Sequence, residues 1–202
     1  MADVTKHDWG SFPARMLKTG QTTQYSSELD DGHYEAGIAK PTTAYEVLST
    51  GQYSGACVFL LNGKTETQSH NCVLDRNTGL MWARYTSAQS ASVGPGSDGL
   101  MAWTGAADDI FAYCAAANVA ELGGYDDWRI PNDLELASLR NMEAPNALPD
   151  ATAFPGWSTA NYYWSSTTLP NTTSDALFVH FLTGHVRHWT KASAYHASLV
   201  RG

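Results

Sequence analysis

Between His180 and His196 the chain gathers side chains suited to contact chemistry: His180, His185, Arg187, His188, Trp189, Tyr195 and His196. Imidazoles donate, accept or ligate metals, guanidinium offers a fixed fork of donors, and indole and phenol bring contact area at low entropy cost. A metal centre needs ligands that converge. His185 and His188 fall on opposite faces of a regular strand, because successive side chains alternate. The pattern therefore reads as a recognition surface, since aromatics and arginine are enriched where proteins bind partners.

The elements that position this surface are short strands. Tyr162–Thr168, Ala176–Phe181, Gly184–Trp189 and Ala197–Gly202 form the closing run. Period-two alternation puts Leu177, Val179 and Phe181 on one face and Phe178 and His180 on the other. After the turn at Gly184, Val186 is expected inward and His185, Arg187 and Trp189 outward. The expected ligand-binding residues are Tyr163, Phe178, His180, His185, Arg187, His188, Trp189, Lys191, Tyr195 and His196. With Phe178, Arg187 and Trp189 all outward, alanine at these positions is expected to leave stability nearly unchanged. Trp82, Trp128, Trp164, Leu177, Val179 and Val200 are the expected core.

Composition narrows the functional classes. The 202 residues carry a formal net charge of −8, and their basic residues are scattered, so no nucleic-acid partner is expected. The N-terminal residues have no signal-peptide core, and no apolar run is long enough to span a bilayer. A soluble chain is expected, carried to a virion or cell surface on a larger assembly if it acts there. Cys57, Cys72 and Cys114 match no zinc spacing; their odd number favours reduced, buried thiols over a Cys72–Cys114 or Cys57–Cys72 bridge. Ser165-Ser166 stands in no nucleophile elbow, and P-loop and dinucleotide patterns are absent. No enzyme is expected; a hydrolase and a structural assembly protein are the alternatives.

Upstream, residues 1–50 read as an N-terminal extension and 51–202 as the main domain. Lys18–Tyr25 suggests a short strand, and Asp30-Asp31-Gly32-His33 a turn. Val58–Leu61 leads into a hairpin signal at Asn62-Gly63, with a partner strand expected near Asn71–Asp75. Leu80–Arg84 is an expected buried strand after a turn at Asn77-Thr78-Gly79, and residues 86–99 a Gly/Ser loop. One helix is expected from an N-cap at Thr104, with Asp108 and Asp109 in its early turns and Ile110, Tyr113, Cys114 and Ala117 inward. A second starts at Asn132 with Glu135 in a capping box, uses Leu134, Leu136, Leu139 and Met142 as contacts, and stops at Pro145 and Pro149. In Asp126-Asp127-Trp128-Arg129, Trp128 with Ile130 is expected to anchor the core, Arg129 to pair with an acid or with carbonyls, and the acids to serve a turn rather than a calcium site.

Asp75-Arg76-Asn77-Thr78-Gly79-Leu80-Met81-Trp82 and Gly124-Tyr125-Asp126-Asp127-Trp128-Arg129-Ile130-Pro131-Asn132 resemble two blocks of the DUF1566 family, also called the Legionella collagen-like adhesin C-terminal domain family. Phe154-Pro155, Tyr163–Thr167 and Leu199-Val200-Arg201-Gly202 are similar to its later blocks, and Lys18–Thr23 with Asp30-Asp31-Gly32 to its leader. The resemblance implies an α+β, C-type-lectin-like fold: two helices, a twisted antiparallel sheet, many loops, and a ligand surface near the C-terminus. It implies kinship with adhesin tips and with the variable proteins of diversity-generating retroelements, in which chosen codons are rewritten while the core stays fixed. The implied partner is an external protein or glycan, with no membrane insertion. No cofactor is implied, structural calcium is left open, and so is the oligomeric state. The calcium motifs of animal lectins are absent. Formylglycine-generating enzymes share a broadly related fold, but their paired cysteines have no match here.

Overall fold

The computed structural model describes residues 21, 23, 24, 45–89, 98–143, 149–158, 160 and 162–202. The expected strand at Lys18–Tyr25 lies largely outside these residues, as do the turn at Asp30–His33, most of the 86–99 loop, and Pro145. The rest is an α+β arrangement of two helices and four antiparallel sheets.

Asn62 and Gly63 both adopt positive φ, 50° and 75°, as a two-residue hairpin turn requires. They join β2 (Ala56–Leu61) to β3 (Lys64–Ser69). The expected partner at Asn71–Asp75 is thus corrected. Cys72–Asp75 is β4, and it lies between β1 (Tyr45–Leu48) and β5 (Met81–Ala83). β3 reads as polar because its inward positions are Glu66 and Gln68, both buried. Gln68 is held from both ends: its amide donates to the Tyr85 carbonyl at 2.9 Å, and its carbonyl accepts from Tyr113 Oη at 2.9 Å. β1 lies within the stretch 1–50 and is bonded to β4. After β4, Asp75 closes the turn by accepting from Asn77 N and Thr78 Oγ1 at 2.9 and 2.8 Å.

Helix α1 spans Ile110–Val119. Its N-cap is Asp109, not Thr104. The Asp109 carboxylate accepts from the amides of Phe111 and Ala112, while Gly105 at φ 91° breaks any earlier helical start. Ile110, Tyr113, Cys114 and Ala117 are buried, as their spacing predicts. Helix α2 (Asp133–Ser138) begins in the capping box of Asn132 and Glu135. It ends well before Pro145, and Leu134 and Met142 are exposed rather than packed.

The remaining strands are β6 (Met101–Ala102), β7 (Tyr163–Thr168), β8 (Asp175–His180), β9 (His185–Thr190), β10 (Ala194–Tyr195) and β11 (Val200–Arg201). Two apolar clusters lie on opposite faces of the β7–β8 pair. Trp164 and Phe178 join Ile110, Tyr113, Trp128 and Leu199 in one cluster. Tyr163 and Val179 join Trp82, Leu136, Phe154, Trp157, Phe181 and Val200 in the other. β7 and β8 are therefore clamped from both sides. β9 completes the β7-β8-β9 sheet and packs under neither cluster. Of the expected core only Leu177 departs, being half-buried.

The C-terminal segment ties the parts together. Ala83 N–H donates to the Leu199 carbonyl, Arg129 and Val200 exchange two backbone bonds, and β11 pairs with β5. Arg201 extends this by gripping both carboxylate oxygens of Asp127, at 2.6 and 3.1 Å, while its guanidinium lies 3.7 Å from the Tyr125 ring centroid. Arg129 pairs with an acid as expected: its two terminal nitrogens each donate to Glu135 at 2.7 Å.

Candidate functional site

All six residues of β9 are exposed. Their register with β8 places His185 opposite His180, Arg187 opposite Phe178 and Trp189 opposite Ala176. Cross-strand partners share a face. A groove of about 670 Å³ runs along this face. Its floor is aromatic. Tyr162, Phe178 and Tyr195 approach one another at 4.6, 4.8 and 5.2 Å between centroids, and Tyr162 lies 4.6 Å from His180. Trp164 backs Tyr195 at 4.7 Å from beneath. His185, Arg187 and Trp189 form the exposed rim, with Trp189 57% accessible.

The groove has one sign of charge. None of its lining residues is acidic. Arg187 Nη2 donates to His185 Nδ1 at 3.3 Å, and His180 Nδ1 shares a 3.0 Å hydrogen bond with Thr183 Oγ1. Elsewhere the arginines are engaged by oxygen acceptors: Arg76 by Glu46, Arg129 by Glu135, Arg201 by Asp127, and Arg84 and Arg140 by backbone carbonyls. Among the described residues Arg187 is the arginine with no oxygen acceptor.

The expected site separates into three groups. His180, His185, Arg187, Trp189 and Tyr195 come together at the groove. Phe178 is there too, but only 4% exposed; its ring packs against Tyr162, Trp164 and Tyr195, so it is a core side chain forming the floor rather than an outward one. His188 also borders the groove, although alternation turns its imidazole to the other face, where its Nδ1 lies 2.9 Å from Asp175 Oδ2. Val186, expected inward, is 37% exposed because neither core cluster extends beneath β9.

Three residues leave the surface. Tyr163 is fully buried, stacked on Trp157 at 4.7 Å and accepting from Ser158 N at 2.7 Å. Burial pushes its phenol up to about 12, against the opposing pull of its hydrogen bonds from Ser158 and Thr86. His196 is 3% exposed; burial holds its imidazole below the ordinary value, while its Nδ1–H donates to the Gly99 carbonyl at 3.2 Å. Lys191 lies beyond the end of β9, where its ammonium sits 4.0 Å from the Trp103 ring centroid and donates to Thr168 Oγ1 at 2.9 Å. Tyr162, Thr183 and Val186 are groove residues that sequence reasoning missed, and Tyr162 is the one that forms the floor. It neighbours Tyr163, and a one-residue change of parity exchanges the two faces.

A second hollow of about 460 Å³ opens between α1 and the Trp128–Asn132 segment. Its polar side chains are already committed. Asn118 bonds both backbone groups of Trp128, Cys114 donates to the same Trp128 carbonyl, and Arg129 is occupied by Glu135. The groove on β9, with unspent donors, is the better candidate. Among the described residues no cluster of three His, Cys, Asp or Glu side chains can hold a metal ion, and no helix is long and apolar enough to cross a membrane. The cysteines are free and buried.

Comparison with known proteins agrees with the blocks from Asp75 onward. The family model of the Lcl C-terminal domain matches residues 71–201, more than half of the chain. The chain belongs to this family, and the matched span is an adhesin-like domain. A search of the curated proteins returns no match.

Proposed function

We propose that this member of the Lcl C-terminal domain family is a non-enzymatic binding protein that captures an external ligand in the groove between β8, β9 and Tyr195. The reading rests on one observation above all. β9 is exposed at all six positions, while β7 and β8, the other strands of its sheet, are locked between two apolar clusters. Such a strand presents side chains from a fixed frame, which limits the entropy lost on binding. Aromatic floor, indole rim and an arginine fork supply stacking and directed hydrogen bonds. The groove lining holds imidazoles but no thiol or carboxylate, so it lacks the nucleophile of a thiol enzyme and the paired acids of a glycosidase.

The same division supports the C-type-lectin-like reading and the further step to a variable protein of a diversity-generating retroelement. His185, Arg187, His188 and Trp189 can change without disturbing either cluster. Sequencing many gene copies from one population tests this step. Substitutions concentrated at these positions and at Tyr162 and Tyr195 support it; substitutions spread evenly along the chain remove it.

Binding itself is tested with arrays of glycans and of host-surface proteins, using wild type and the Arg187→Ala/Trp189→Ala variant. The expected result is a ligand retained by wild type and lost by the variant, with a thermal midpoint shifted by no more than about 2 °C. Equal retention by both proteins places the site elsewhere.

A further inference from the structure

β9 offers more than side chains. Lys191 N–H donates to the Ser174 carbonyl at 2.9 Å, which continues the β8–β9 ladder by one pair. Hydrogen-bonded pairs alternate along an antiparallel ladder. The backbone groups of His185, Arg187 and Trp189 therefore point to β8, and those of Val186, His188 and Thr190 point away from it. β9 is the last strand of its sheet, so the second set faces the open edge. The Thr190 carbonyl accepts from Ser193 N. Among the described residues the amides and carbonyls of Val186 and His188 have no partner.

Natural edges are usually blunted by proline, a bulge, short length or a covering element. β9 has six residues, no proline and an unbroken register with β8. We infer that the free edge of β9 receives an extended, acidic segment of a partner protein as a fourth strand. The inference rests on the groove reading above and names its ligand class. Charge decides between occupants. β9 carries His185, Arg187 and His188 and no acid. In an added antiparallel strand the residue opposite Arg187 occupies a non-hydrogen-bonded pair, where side chains come closest. A carboxylate there meets a guanidinium that has no other oxygen acceptor among the described residues. A second copy of β9 brings no acid to the edge, and its central register sets Arg187 against itself.

The probe is a random library of linear peptides selected on the full chain. The expected binders carry Asp or Glu at alternate positions. N-methylation of every second peptide amide, in the register facing β9, is expected to abolish binding, and methylation of the intervening amides to leave it intact. His188→Pro removes one outward N–H without touching the β8 ladder, and it is expected to weaken binding by about tenfold or more, while His188→Ala stays within about threefold. The methylated peptides keep the test sound if the proline variant misfolds.

Binders without acids, or equal effects of methylation in both registers, overturn the inference, as does the absence of any binder. A protein whose only edge partner is another copy, seen as a dimer in sedimentation that His188→Pro dissolves, also overturns it. Peptides that lose affinity with Arg187→Ala and Trp189→Ala but ignore His188→Pro and methylation overturn the added strand and leave the groove standing. Peptides indifferent to Arg187→Ala and Trp189→Ala refute the groove reading itself.

Discussion

Phe178 and Arg187 are cross-strand partners on one face of one sheet, yet the first is sealed in an aromatic cluster and the second stands in solvent. The boundary between scaffold and display surface passes between them. Phe178 is covered by Tyr162, Trp164 and Tyr195; the Arg187 side has no cover among the described residues. Mutations across that boundary should differ in kind.

Phe178→Ala is expected to destabilise the protein by about 3–5 kcal/mol, through lost burial and a residual cavity. Trp189→Ala, four ladder steps from the His180–His185 pair and exposed, is expected to change stability by about 0.5 kcal/mol or less. Urea unfolding of both variants checks the contrast. Similar losses for the two would mean that Trp189 packs where the structure shows it free.

Glu135 serves two partners at once. It takes both donors of Arg129 and accepts from the Asn132 amide at 2.9 Å. Burial works to raise its carboxyl, but the Arg129 fork and the Asn132 amide outweigh it and hold the group below the ordinary glutamate value. Glu135→Ala is expected to cost about 1–2 kcal/mol at pH 7, because the capping bond is lost with the half-exposed ion pair. A depressed folded-state pKa gives stability that is complete above the ordinary value near 4.5 and falls as pH drops through the folded-state value. The gap between wild type and Glu135→Ala should therefore close in acid. Denaturant midpoints measured from pH 7 to pH 3 check this.

Gly99 and Gly51 both have positive φ, 74° and 62°, but different surroundings. A Cβ on Gly99 falls 1.9 Å from the Ser87 carbonyl oxygen, whereas one on Gly51 meets open space. Gly51→Ala should cost about 1–2 kcal/mol from backbone strain alone. Gly99→Ala should cost clearly more, since its Cβ also drives the Ser87–Ala88 backbone away from residue 99. Thermal midpoints in parallel separate the two.

The three thiols should be silent in the native protein. Burial pushes Cys72 to about 12, opposed by Arg201, and Cys114 to about 11, and it raises Cys57 as well. At pH 8 a thiol reagent such as DTNB is expected to modify none of them within minutes, and all of them after addition of guanidinium. Rapid native labelling would show that one lies in a more open site.

Local signals were legible in the sequence where chemistry is local. The Asn62-Gly63 turn, the Asn132–Glu135 cap and the inward stripe of α1 needed no knowledge of the rest of the chain. β3 was illegible because its buried positions are the polar Glu66 and Gln68, and the partners of Gln68, Tyr85 and Tyr113, lie in distant segments. The start of α1 was misplaced since Thr104 and Asp109 are both competent caps, and Gly105 decides between them. The site was half legible. Alternation put His185, Arg187 and Trp189 on one face, but it carries no information on what lies over that face. Phe178, Tyr163 and His196 are buried by Tyr162, Tyr195, Trp157 and Gly99, and no periodicity in their own segments announces those neighbours.

The placement of Val200 bears on how the protein comes into being. It bridges Arg129, pairs with Trp82 and sits at zero exposure between parts made much earlier in synthesis. A ribosome that has not yet released residues 196–201 holds back the keystone of both apolar clusters. Completion of the fold must then wait for translation to pass that point.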